Sequence, residues 1–167
     1  MSSARQTLAA AGSDTAPARP RGCTNFKLRQ FVRRVTRHYD HAMAGTGLKV
    51  TQYSLLSHVM LAGPVQPALL AQAMTLSAST LSRNLQPLIT AGWIEVLPGA
   101  DGRSRQLAIT ATGRGKRQEA QRRWRQAQEA LNRRLGVATV AALHALIDDA
   151  MTRLADDEAI EDEGADT

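Results

Sequence analysis

Apolar positions along the chain fall on six helical stripes and two strand-like runs, and the sharpest pattern lies between residues 63 and 113. There Pro67 to Met74 reads as a short helix with Leu69, Leu70, Ala73 and Met74 as its apolar positions, broken by Thr75-Leu76-Ser77. Ser77 is placed to cap a second helix, because its hydroxyl can accept from an orphan amide of the first turn. In that helix Leu81, Leu85, Leu88 and Ile89 form one buried stripe, while Ser79, Thr80, Ser82, Arg83, Asn84 and Gln86 share the opposite face. Gly92 stands where a left-handed residue ends a helix. Trp93 to Leu97 and Arg105 to Thr110 read as strands, joined by the turn Pro98 to Gly102.

Longer stripes flank this segment. A helix opens at Cys23 with Thr24 or Asn25 as cap. Leu28, Val32, Val35, Tyr39, Ala42 and Met43 stripe it, Phe31 widens the stripe, and Gly45 and Gly47 stop it. Thr51 caps the next helix, in which Tyr53, Leu55, Leu56, Val59, Met60 and Leu61 are mostly buried. Beyond the hairpin a helix from about Gly113 to Leu135 carries the seam Ala120, Trp124, Ala127, Leu131 and Leu135, and Gly136 ends it. A last helix over 137–155 is striped by Val140, Leu143, Ile147, Ala150, Met151 and Leu154. Neither terminal helix finds a wide enough partner within one small chain, so these seams predict a helical dimer interface.

Charge sharpens the picture. The net charge of +6 conceals an acidic end: residues 156–167 hold seven acids and no base, leaving 21 bases against eight acids before them. A body that basic suits a polyanion held through its phosphates. Residues 1–22, built from Ala, Ser, Gly, Pro and Arg without a period, read as a flexible arm, and residues 156–167 as a frayed acidic tail. Scarce aromatics and abundant Ala favour helix. No apolar run approaches the ~20 residues of a membrane span. Gly12, Ser13 and Asp14 interrupt any signal-peptide core, so the expectation is a cytoplasmic protein with no membrane partner. Gly113-Arg114-Gly115 lacks the rest of a nucleotide fingerprint. With no nucleophile–base set and only His38 and His41 at a weak i, i+3 spacing, neither catalysis, a metal nor a cofactor is expected.

A helix-turn-helix followed by a basic hairpin is a winged helix, and a short polar second helix suits the major groove. The run resembles the MarR family of bacterial transcriptional regulators. The likeness is carried by Gly47-Leu48, Thr51-Gln52-Tyr53, Leu70-Ala71 and Ser79-Thr80-Leu81-Ser82-Arg83. It continues through Ala91-Gly92-Trp93-Ile94, Asp101-Gly102-Arg103, Leu107, Ile109, Thr110 and Gly113, within about residues 23–155. The fold class it implies is mainly α with a small β-hairpin. A winged helix-turn-helix domain over 48–113 would join a helical dimerisation domain built from 23–47 and 114–155. The implied function is that of a homodimeric repressor on a palindromic operator, released by a small aromatic or phenolic acid.

Candidate site residues follow. Arg83 is the expected base reader, since a guanidinium can grip guanine with two hydrogen bonds. Ser79, Thr80 and Ser82 are expected on phosphates or single acceptors, Asn84 and Gln86 on adenine, and the capping Ser77 is counted with them on the DNA-binding surface. Pro87 removes one amide from the ladder, so a bend beyond Arg83 is expected. The resemblance places Arg103 at the minor groove with Asp101 holding its loop, while Arg105 adds a phosphate contact. It also places Arg34, Arg37, His38, His41, His58 and Trp124 around an effector carboxylate. A redox alternative uses Cys23, similar to the reactive cysteine of the family's hydroperoxide-sensing branch, with Tyr39 matching one supporting tyrosine. Cys23 falls about two residues early, however, and Val50 occupies the other tyrosine's position. As the only cysteine, Cys23 needs an outside thiol to form a disulfide. A basic helical body would also serve a non-specific architectural DNA-binding protein.

Overall fold

Gly92 and Ser77, the two residues expected to bracket the reading helix, do so in the structure. The computed structural model describes residues 21–99 and 104–164; the arm before them and the wing tip, with Asp101 and Arg103, lie outside the described residues. The described helices are α1 (Thr24–Met43), α2 (Val50–Ala62), α3 (Pro67–Ala73), α4 (Ala78–Thr90), α5 (Ala111–Leu135) and α6 (Val137–Gly164). Strands β1 (Ile94–Pro98) and β2 (Arg105–Ile109) form the hairpin between α4 and α5. The fold is mostly helical, as expected.

The helix-turn-helix core is the predicted one. Leu81, Leu85 and Leu88 of α4 are buried together with Leu55, Leu56 and Val59 of α2 and Leu70 of α3. Ile94, Leu107 and Ile109 close this core from the hairpin, and Ala120 from α5. The Ser77 hydroxyl accepts from the Thr80 amide at 3.3 Å, and Gly92 takes φ +69°. α4 runs unbroken through Pro87, so the expected bend does not interrupt it.

Several local expectations are corrected. Leu69 is exposed because the two-turn α3 buries only the side bearing Leu70 and Ala71. Leu61 is exposed in the last turn of α2, just before Gly63 redirects the chain. Cys23 rather than Thr24 or Asn25 is the N-cap of α1. Lys49 rather than Thr51 is the N-cap of α2, where Gln52 Oε1 accepts from the Lys49 amide at 2.9 Å. The next amide, Val50, donates to Asp40 Oδ1 at 2.8 Å, so a carboxylate from α1 satisfies an orphan donor of α2. The helix after the wing begins two residues early, because Thr110 accepts from the Gly113 amide at 3.0 Å and caps it.

The wing is held at three places. β1 and β2 pair antiparallel, with Ile94 opposite Ile109 and Pro98 opposite Arg105. Val65, on the approach to α3, exchanges two backbone hydrogen bonds with Leu107, at 3.0 and 2.8 Å. The Thr110 and Thr112 hydroxyls both donate to the Gly92 carbonyl, at 2.7 and 3.0 Å. The end of α4, the wing base and the start of α5 therefore form one joint.

Farther along, α5 packs on α1 and α2. Trp124 stacks on Tyr39 (6.4 Å, 16° between rings) and leans on Tyr53 at 5.9 Å. The Tyr39 hydroxyl donates to Gln128 Oε1, and burial pushes that phenol above its ordinary range, which keeps it a donor. His38 Nε2 donates to the Ala127 carbonyl at 2.8 Å. At Gly136 (φ +84°) the chain turns, and α6 leaves α5 at 101°. α6 runs to Gly164, so residues 156–164, read from sequence as frayed tail, continue the helix. Among the described residues no single helix is long and apolar enough to cross a membrane.

Candidate nucleic-acid interface

A helix that reads DNA needs an exposed polar face free of negative charge. From residue 41 through 94 the sequence contains no Asp or Glu, so α2, α3, α4 and their connections carry no carboxylate. On α4, Ser79, Ser82, Arg83 and Gln86 are exposed, on the face opposite Leu81, Leu85 and Leu88. Arg83 makes no hydrogen bond or ion pair among the described residues, and its guanidinium is free for a ligand.

The other expected readers are partly occupied. Ser77 and Thr80 bond each other through their side chains at 2.9 Å, in addition to the cap, and so serve the start of the helix. Asn84 is half-buried, and its Nδ2 donates back to the Thr80 carbonyl at 2.9 Å. It also lines a small hollow against Thr51, Ser54 and Leu55 of α2. Gln86 Nε2 leans toward Thr90 Oγ1 at 3.4 Å but remains exposed. Sequence spacing put all six polar residues on one face; self-bonding by short polar side chains, which the period cannot report, divides them.

Arg105 opens β2 and is exposed. With Ser82 and Gln86 it borders a groove of about 320 Å³ between α3, α4 and the wing, walled by Ala71, Leu85 and Val96. Among the described residues Arg105 is the one charged residue that lines it. Periodicity gave no hint of this groove, because it arises where the wing folds back over α4.

The residues expected to hold an effector do not converge. Arg34, Arg37 and His38 line a cleft on the α1–α5 side of the molecule. His41 is exposed in the last turn of α1, and His58 Nδ1 donates to the Ser54 carbonyl of its own helix at 2.8 Å. Trp124 is spent on the Tyr39 and Tyr53 rings. Cys23 is free and exposed, and Tyr39 is buried 16 residues on, about 24 Å along the helix axis. Within one chain the two cannot form a redox pair.

Comparison with known proteins agrees with this geometry. A family model described as the MarR family matches residues 46–104, from the turn before α2 into the wing. The transcriptional regulator MosR of M. tuberculosis, in complex with DNA, is 28% identical with a TM-score of 0.66, over 78% of this chain and 98% of that one. A probable transcriptional regulator from Pseudomonas aeruginosa has TM-score 0.70 at 22% identity, over 76% and 96% of the two chains. A mutant MarR from E. coli complexed with operator DNA has TM-score 0.69 at 19% identity, over 75% and 91%. No curated protein matches the sequence. The matched segment is the helix-turn-helix and first wing strand of the MarR family, and the fold that the chain shares with these winged helix-turn-helix transcriptional regulators takes in the helices around it.

Proposed function

We propose that the protein is a homodimeric repressor that binds an inverted-repeat operator and is released by a small aromatic or phenolic acid. The observation that carries the DNA reading is the exposed face of α4, where a free Arg83 stands among Ser79, Ser82 and Gln86 in a region without carboxylates. Arg83 grips a base edge, Ser79 and Ser82 take phosphate oxygens, and Arg105 adds a phosphate from the wing. Asp101 and Arg103 remain assigned to the wing tip by the family resemblance alone.

Support for the dimer comes from two interrupted stripes. On α1 the apolar row is buried at Tyr39 and Met43 but open at its start, where Leu28 and Val32 are 50% and 57% exposed. On α6 it is buried at Val140 but open beyond, where Met151 and Leu154 are 63% and 65% exposed. Uncovered apolar rows of this length mark an interface. Two copies related by a twofold axis present two reading helices, which match half-sites about one turn of DNA apart.

The groove between α4 and the wing supports the effector reading. Its apolar walls suit a ring and Arg105 suits a carboxylate, and an occupant there covers Ser82 and Gln86 and competes with DNA. A nuclease footprint on DNA upstream of the coding region tests the proposal. A discrete protected inverted repeat is the expected result; protection smeared along the fragment, as from an architectural protein, contradicts it.

A further inference from the structure

Thr75, in the turn between α3 and α4, holds φ +51° and is the one residue other than glycine with a left-handed backbone among the described residues. The turn requires that conformation. The Thr75 amide donates to the Gln72 carbonyl at 3.0 Å and the Leu76 amide to the Ala71 carbonyl at 2.8 Å, the paired bonds that end a helix on a left-handed residue. Glycine fills such a position without strain, whereas a β-branched side chain is crowded there. Met74 and Leu76 on either side turn inward, toward Thr51 and Ser54 of α2 and Thr80 and Asn84 of α4. Thr75 itself is exposed, and among the described residues its hydroxyl makes no hydrogen bond. Within one chain, nothing that the side chain does offsets the strain.

Strain of this kind belongs where a side chain serves something outside the fold. What lies beside Thr75 is the reading surface. Thr75 stands two residues before the Ser77 cap, so their Cα atoms are at most about 7 Å apart. Ser77 and Ser79 are exposed at the same end of α4, and no carboxylate occurs from residue 41 through 94 to repel a phosphate. We infer that Thr75 is a further DNA-contacting residue, whose hydroxyl donates to a phosphate oxygen of the operator backbone beside the groove that α4 enters. A neutral donor of this kind positions the helix without reading sequence and without releasing a counterion. The inference rests on the reading of α4 given above.

Thermal unfolding, together with binding to the operator and to a scrambled duplex over a range of salt, tests it. Thr75→Val keeps the branched shape and loses the hydroxyl. Its affinity is expected to fall about 10-fold on both duplexes, for the two copies in a dimer, with Tm and salt slope close to those of wild type. Thr75→Gly loses the hydroxyl and the strain together, so Tm rises by about 2–4 °C while affinity falls as for Thr75→Val. Thr75→Ser keeps the donor and binds within about twofold of wild type. Thr75→Gly binding as tightly as wild type, Thr75→Ser weakened as much as Thr75→Val, or a loss confined to the operator overturns the assignment. So does a Tm that fails to rise in Thr75→Gly. Arg83→Ala keeps the two readings apart: if it alone lowers operator affinity, only the role of Thr75 falls, and if no variant lowers it, the reading of α4 falls as well.

Discussion

Gly113→Ala is expected to destabilise the protein by about 3 kcal/mol, the upper end of what overpacking a close-fitted site costs. A Cβ at this position would lie 2.0 Å from the Trp93 carbonyl oxygen, 2.9 Å from its carbon and 3.0 Å from Ile109 Cγ1. The carbonyl cannot swing aside freely, because it already accepts from the Thr110 amide at 3.1 Å and is fixed by the Gly92 turn before it. Gly113 is therefore glycine for space and not for backbone conformation: it lets α5 start against the wing base. Thermal unfolding should show a fall in Tm of roughly 6–12 °C for a chain of this size. Unfolding at the wild-type temperature would mean that the wing base and α5 are not in this contact.

Met151→Glu combined with Leu154→Glu is expected to leave each chain folded and to abolish the dimer. Both side chains are exposed within one chain, so its own core loses nothing and far-ultraviolet circular dichroism stays as in wild type. Across a twofold interface, however, four carboxylates would be buried among apolar groups, a cost that association does not offset. Operator affinity should fall on the order of 100-fold or more, because a second half-site no longer benefits from being tethered to the first. Light scattering that still finds dimers, or operator binding of wild-type strength by monomers, contradicts this account of the α1 and α6 stripes.

What could be read in the sequence was local. The Leu81, Leu85, Leu88 row, the Ser77 cap and the Gly92 stop each depend on neighbours within one or two turns, and each is found as expected. What escaped depends on distant residues. The Val65–Leu107 bridge joins positions 42 apart, and Val65 has no strand pattern of its own. The cap of α2 uses Asp40 from α1, which no motif around Lys49 reveals. Gly113 stood out in the sequence as a helix start, a family match and part of a rejected phosphate loop, but not for its packing, because the reason for that is a carbonyl twenty residues earlier. The helical continuation past Ala155 went unread because a run of like charge resembles a solvated tail.

The candidate site was legible as a face and not as a set of roles. Period alone puts Asn84 beside Arg83, yet the amide of Asn84 is turned back onto Thr80 while Arg83 is free. The cationic residues of α1 were visible one by one. That Arg34, Arg37 and His38 share with Arg134 a cleft that His58 does not line follows only from how α5 crosses α1.

The central claim is that α4 reads base edges through Arg83. The direct measurement is fluorescence anisotropy of wild type and Arg83→Ala on the footprinted operator and on a scrambled duplex of equal length, at one fixed salt concentration. The account predicts that Arg83→Ala loses about 10- to 100-fold on the operator, as for one lost bidentate base contact, while binding to the scrambled duplex changes little. An operator-to-scrambled ratio equal to that of wild type would contradict it and place the reading surface elsewhere.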